Sequence, residues 1–212
     1  MKIIEQIKEI AMDLSSSNRG CHGFDHSERV YELCRHIGKR EKADVEVLSI
    51  ASYLHDIGRI DQDKSNGRIC HAEAGAKKAR EILANYNLSK EKINNIIHCI
   101  EVHRFRGSNK PKTLEAKILR DADKLDAIGA VGIGRVFFFA SEVGAYLHNK
   151  DVDIKKTKPY TKEDTAYREF LVKLKFIKNE IITKEGKKIA KGRHQFMINF
   201  FNRINKEVTG EL

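Results

Sequence analysis

The sequence predicts an all-α fold, a helical bundle with at most a small β-hairpin near the C-terminus. Three observations lead there. Apolar residues recur at three- and four-residue spacings along most of the chain, the period of a helix face. Capping residues stand ahead of several of these stripes, and glycine or polar stretches stand behind them. Strands alternating with helices and a phosphate-cradling Gly-rich loop are both missing, so nothing calls for a parallel sheet.

Each element follows in order. Ile3, Ile4, Ile7 and Ile10 form one stripe; Val30, Leu33, Cys34 and Ile37 form the next. Asp44 caps a helix through Val45, Leu48, Ala51 and Leu54 that stops near Gly58. Residues 61–70, "DQDKSNGRIC", read as a loop because they are polar and contain Asn66-Gly67. Helices follow from Ala72 to Tyr86 and, with Ser89 as cap, from Glu91 to His103. Residues 104–113 are loop, and Thr113 opens a helix through Leu119 and beyond. "TKED" (161–164) matches a capping box ahead of Ala166, Phe170 and Leu174. A last helix carries Phe196, Phe200 and Ile204, and residues 179–190 are the candidate hairpin or strand.

A chain of 212 residues can bury a large core, and residues 1–212 read as a single domain. Pro111 and Pro159 stand far apart, and no Ser/Gly-rich linker divides the sequence. With 41% hydrophobic and 33% charged residues the composition is that of a globular, soluble chain. The longest apolar stretch, residues 127–140, contains Arg135 and falls short of the roughly 20 residues that span a bilayer. The N-terminal amphipathic pattern contains acids and lacks the apolar core of a signal peptide. A cytoplasmic protein without membrane attachment is expected. Cys21, Cys34, Cys70 and Cys99 show no CxxC spacing, which argues against a zinc ribbon and suggests reduced thiols. The net charge of +10 favours anionic partners without choosing among them.

His26, the doublet His55-Asp56, and Asp123 in "LRDADKLDAIGA" each sit at the edge of an apolar periodic segment. Helices can pool such residues at one point. Two imidazoles and two carboxylates suit a divalent ion such as Mn, Fe, Co, Ni or Zn, or Mg with less preference for imidazole. Four protein ligands on a six-coordinate ion leave room for water and a phosphate oxygen.

The order His, His-Asp, Asp resembles the HD superfamily of metal-dependent phosphohydrolases. "HGFDHSERV", "LHDIGR", "HAEAGAKKAREIL", "IIHCIEVHRFR" and "ILRDADKLDAIGAVGIGRVF" carry the likeness, together with "KKIAKGRHQFMINFFNRINKE" at the C-terminus. They are similar to a compact bacterial group of single-domain HD hydrolases, across residues 20–207. The resemblance implies that His26, His55, Asp56 and Asp123 bind the metal. Asp123 is preferred to Asp121 because Asp123-Lys124-Leu125 fits the family's Asp-basic-hydrophobic pattern. It further implies a phosphate contact for Lys124, with Asp126 orienting a ligand or a sugar.

Some HD enzymes bind two metals through histidines that follow the doublet, so His71 and either His98 or His103 are candidates. His98 and His103 are five apart, off the spacing that aligns two side chains on one helix face. His71 is also a candidate general acid or phosphate contact, Glu73 its orienting or water-activating partner, and His103 a substrate contact. Arg59, Arg104 and Arg106 can each offer phosphate a bidentate fork. His22, His36, His148 and His194 read as local structure. Asp61 and Asp63 start like a calcium loop but lack its terminal Glu. "VFFFA" (136–140) reads as core, with a dimer interface or a nucleobase wall as alternatives.

The expected function is hydrolysis of a small phosphorylated substrate, with a nucleotide foremost. The bacterial group implies a dNTP or NTP cleaved to monophosphate and pyrophosphate. A nucleoside monophosphatase or phosphodiesterase on the same site is the enzymatic alternative. An alarmone hydrolase is disfavoured, because "HDIGRID" lacks the paired acids of "HDIVED". The alternative from another class is a basic nucleic-acid-binding module without catalysis. It calls for a basic stripe with interleaved aromatics, whereas the charge here is scattered. A homodimer is expected from family habit and surplus apolar helix.

Overall fold

Helices form where the apolar stripes run. The computed structural model describes residues 2–16, 23–104, 110–151 and 153–212. In order, α1 is Lys2–Ser15, α2 Phe24–Glu41, α3 Val45–Leu54, α4 Arg59–Lys64 and α5 His71–Leu83. Next come α6 Lys90–Val102, α7 Leu114–Asp126, α8 Gly129–Glu142, α9 Ala166–Val172 and α10 Lys184–Glu207. Two 3-10 segments, Ile154–Lys156 and Leu174–Asn179, flank α9. No strand occurs among the described residues, and none of their helices is long and apolar enough to cross a membrane. Cys21, His22 and Arg106 lie outside the described residues. The chain divides into two units, Met1–Asp123 and Lys124–Leu212.

In the first unit α3 is the central helix, with every residue from Val47 to Leu54 buried. A helix apolar on all sides is stable only when surrounded, and α1, α2, α5 and α6 pack against it. From α2 come Val30, Cys34 and Ile37, from α1 Ile7 and Ala11, and from α6 Ile96 and Ile100, all without exposure. Burying each Ile or Leu contributes about 1.5–3 kcal/mol. The Asp44 carboxylate caps α3 by accepting from the amides of Glu46 (2.9 Å) and Val47 (3.1 Å). The hydroxyls of Ser49 and Ser52 are satisfied by the backbone oxygens of Val45 and Ser49.

The stretch expected to be loop from residue 61 begins instead as α4. Six residues cannot hold a helix by propensity alone; tertiary bonds hold this one. Asp61 pairs with Lys78 of α5, Gln62 bonds to His71 of α5, and Arg59 bonds to Asp56 in the preceding turn. Gly58 ends the α3 segment with φ −89, so backbone handedness is not why glycine stands there. Room is the reason. A Cβ at Gly58 would lie 2.3 Å from the His71 oxygen and 2.5 Å from the Gly75 nitrogen. The turn after the doublet thus lies directly against the first two turns of α5.

In the second unit α8 packs on α9 and α10. Phe170 stacks on Phe201 at 4.5 Å between ring centroids, and Phe200 meets Phe201 edge-on at 5.3 Å. "VFFFA" is divided by its helical period. Val136 and Ala140 are buried, Phe137 packs on Phe200, Phe139 on Tyr160, and Phe138 is exposed. Buried Arg168 donates to the Asp164 carboxylate and the Thr157 hydroxyl, each at 2.6 Å. These bonds tie the Ile154–Lys156 segment to α9.

Two further expectations need correction. Thr165, not Thr161, caps α9, accepting from the Arg168 amide at 3.1 Å. The stripe to be buried begins at Ala166, so the helix starts there; Asp164 accepts from the Tyr160 amide in the preceding turn. Residues 184–190, read as part of a candidate hairpin, open α10. Ile181, Ile182 and Thr183 suggested strand, but Gly186, Ala190, His194, Met197 and Phe201 form one buried helical stripe. The Thr183 hydroxyl accepts from the Gly186 amide and caps it.

Candidate metal centre

Six side chains of the first unit converge. His26 lies in the first turn of α2, His55 and Asp56 just after α3, and His71 at the start of α5. His103 directly follows α6, and Asp123 lies in the last turn of α7. His26, His55, Asp56, His71 and His103 are all at most 4% exposed. Asp123 is more open, with 30% of its side chain accessible.

The donor atoms form two groups. In the first, His26 Nε2 lies 3.3 Å from His55 Nε2 and 3.3 Å from Asp123 Oδ1. In the second, His71 Nε2 and His103 Nε2 are 3.2 Å apart, at 3.5 and 3.6 Å from Asp56 Oδ1. Asp56 Oδ2 is 3.9 Å from His55 Nε2, so this one carboxylate faces both groups.

The ring orientations are set by the opposite nitrogens. His55 Nδ1 lies 2.7 Å from the Ser52 carbonyl and His103 Nδ1 2.6 Å from the Ile100 carbonyl. His71 Nδ1 lies 2.9 Å from Gln62 Oε1. Only a protonated nitrogen can donate to these oxygens, so in each neutral ring Nε2 carries the lone pair. In the second group the Nε2 atoms of His71 and His103 face each other beside a carboxylate. In the first, His55 offers its lone pair to the Nε2 of His26 beside Asp123.

Burial dominates the electrostatics. It pushes His55 down to about 4 and His71 down to about 3, leaving both neutral near pH 7. Burial opposes the charge of Asp56, yet His55, Arg59 and the neighbouring histidines hold its carboxyl well below the usual range. Asp123 is likewise held low against burial, chiefly by His26. Arg59 Nη2 donates to both Asp56 oxygens, at 3.0 and 2.9 Å.

This donor set fits a divalent cation. Two ligands about 2.1 Å from one ion and at right angles lie about 3 Å apart, close to the separations within each group. Neutral imidazole nitrogens with carboxylate oxygens suit first-row divalent ions, without selecting one.

The remaining predicted residues are placed as follows. Glu73 is exposed in the first turn of α5 and is not among the grouped donors. Asp121 is fully buried and is also outside the groups. Arg104 donates to Cys70 Sγ at 3.4 Å. Lys124 Nζ is 2.7 Å from Glu180 and Asp126 is 2.8 Å from Arg135, so both are engaged within the second unit. His98 Nε2 accepts from the Lys112 amide at 3.0 Å, and His103 alone of that pair joins the donors.

Sequence reasoning missed the residues that orient the rings. The Ser52 and Ile100 carbonyls had a signal: each stands three residues before a histidine at a helix end, where carbonyls lack helical partners. Gln62 had none, because its nine-residue separation from His71 says nothing of contact.

Comparison with known proteins places this arrangement. An HD domain family model matches residues 23–128, which include all six converging residues. The Bacillus subtilis (strain 168) protein YpgQ is 30% identical over 214 residues, covering 99% of this chain and 96% of its own. The crystal structure of YpgQ in complex with ADP superposes with a TM-score of 0.76 at 28% identity, covering 97% of this chain and 95% of that one. A predicted HD superfamily hydrolase from an uncultured Thermotogales bacterium gives a TM-score of 0.70 at 27% identity, covering 96% and 91%. The chain belongs to the HD domain family. Its class is that of the HD-superfamily hydrolases, whose domains bind divalent metal.

Proposed function

We propose that this chain hydrolyses a nucleotide, a dNTP or NTP foremost, releasing monophosphate and pyrophosphate. The observation that carries a cation-dependent hydrolase is the convergence of imidazole Nε2 atoms and carboxylate oxygens in two groups. Support for the nucleotide comes from the ADP complex of YpgQ, similar over nearly the whole chain. The net charge of +10 agrees with an anionic substrate.

In this reading His26, His55, Asp56 and Asp123 hold one divalent cation. The cation supplies Lewis acidity, acidifying water and offsetting phosphate charge. The chain's own residues do the rest. The carbonyls of Ser52 and Ile100 keep the Nε2 lone pairs of His55 and His103 aimed inward. Arg59 and Arg104 offer guanidinium forks to phosphate oxygens. Helix burial excludes bulk water from the donors and strengthens their electrostatics.

The second group favours a further reading, in which Asp56, His71 and His103 would hold a second cation, with the Asp56 carboxylate facing both groups. Burial holds the His71 pKa low, which favours a neutral ligand over a general acid in this reading. Glu73→Gln tests whether the exposed Glu73 takes part.

The deciding experiment quantifies bound metals, strips them, and restores Mn, Mg, Co and Ni separately. Deoxynucleotides, ribonucleotides, monophosphates and cyclic nucleotides are then offered, with products resolved by chromatography. Metal-dependent pyrophosphate release, lost in His55→Ala and Asp56→Ala, is the expected result. Orthophosphate from monophosphates would move the substrate and keep the centre. No turnover on any substrate would refute the reading.

A further inference from the structure

We propose that Arg59 is a movable positioning residue that couples cation binding at Asp56 to the arrival of a substrate phosphate. Its guanidinium exchanges the Asp56 carboxylate for the phosphate, and the two bindings become cooperative. This rests on the phosphohydrolase reading and concerns how its site is loaded.

Three observations lead there. The first is competition for one carboxylate. Arg59 Nη2 is nearly equidistant from Asp56 Oδ1 (3.0 Å) and Oδ2 (2.9 Å), so one nitrogen covers the mouth of the group. Those same oxygens face the two sets of imidazoles, Oδ1 toward His71 and His103 and Oδ2 toward His55. Engaged by a guanidinium, the carboxylate has less charge and fewer lone-pair directions to offer a cation.

The second observation is an incomplete set of bonds on the arginine. Its Nε–H is buried and has no hydrogen-bond partner. Guanidinium binds best through two parallel N–H groups on one anion. A single nitrogen shared by both oxygens of Asp56 does not use that fork. A phosphate, with three or more acceptor oxygens, can take both Nη2 and Nε.

The third observation is access. Arg59 is the first residue of α4, and 16% of its side chain is open, against 5% for Asp56. An arriving anion can therefore meet the guanidinium before it meets the carboxylate. The exchange keeps the buried charges paired throughout: Arg59 with phosphate, Asp56 with cation. Leaving either alone would be strongly unfavourable.

Linkage requires the effect to be reciprocal. Phosphate must raise cation affinity by the factor by which cation raises phosphate affinity.

The test is calorimetric titration of Mn2+ into the metal-stripped full chain, with and without saturating inorganic phosphate. The parent, Arg59→Met and Arg59→Lys are compared after thermal melts confirm folding. Without phosphate, Arg59→Met is expected to bind Mn2+ about tenfold more tightly, because a charge-assisted competitor is gone. Phosphate should raise the parent's Mn2+ affinity at least about fivefold more than it raises that of Arg59→Met. Arg59→Lys should fall between, since an ammonium can change partners but cannot fork. Equal phosphate enhancement in parent and Arg59→Met, or unchanged or weaker Mn2+ binding in Arg59→Met, would overturn the proposal and leave the metal centre standing. Failure of the parent to bind Mn2+ would overturn both.

Discussion

Gly58→Ala should damage stability and the metal centre together, because one backbone approach serves both. The added Cβ would sit 2.3 Å from the His71 oxygen and 2.5 Å from the Gly75 nitrogen, both backbone atoms that no rotamer change can move. Relaxed non-bonded contacts lie near 3.5 Å, so the turn or α5 must give by about 1 Å. Overpacking of this kind costs about 1–3 kcal/mol. For a chain of this length that lowers Tm by roughly 2–12 °C. The same displacement moves His71 Nε2 relative to Asp56 Oδ1, 3.5 Å away. Loss of such support weakens metal binding about 10–100-fold. The assays are a thermal melt of the metal-stripped protein and a Mn2+ titration. Gly134→Ala on α8 is the control. A Cβ there meets nothing within 4 Å, and alanine's helix propensity predicts a gain of up to about 1 kcal/mol. Parent-like Tm and Mn2+ affinity in Gly58→Ala would refute the claim that close approach requires this glycine.

Three other outcomes are expected. Acid should destabilise the metal-stripped protein: His55 has an ordinary value of 6.5 and a folded value of about 4. Below pH 6.5 the unfolded chain takes the proton and the folded chain resists it, so stability is lost as pH falls toward 4. The loss approaches about 3 kcal/mol, at about 1.4 kcal/mol per pH unit, and equal urea midpoints at pH 7 and pH 4.5 would contradict it. Gln62→Ala removes the acceptor at 2.9 Å that fixes the His71 ring; Mn2+ affinity should fall about tenfold with little change in Tm, and an unchanged titration curve would dismiss the role. Arg168→Met leaves the buried Asp164 carboxylate without its 2.6 Å partner, costing about 3–5 kcal/mol by denaturant unfolding, and adding Asp164→Asn should recover part of that loss.

What the sequence determined by itself was whatever repeats locally or is carried by a motif. Val30, Cys34 and Ile37 announce a helix face because burial on a 3.6-residue period leaves its mark on every turn. Asp44 and Ser89 announce helix starts because a cap bonds amides two or three residues on. The resemblance pointed to polar residues that the fold brings together, and its helical class holds. Tertiary packing decided the relations between distant positions. His71 and His103, 32 residues apart, meet because α5 packs on α6, while His98 on that same α6 faces the Lys112 amide. Gly58 and Gly75 touch because helix backbones approach there, which no spacing encodes. The helix α4 is held by bonds to Asp56, His71 and Lys78, so the polar composition of its residues 61–64 alone read as loop. Local periodicity reports which face is buried. Which side chains share a point depends on how those faces pack, and that is a property of the folded chain.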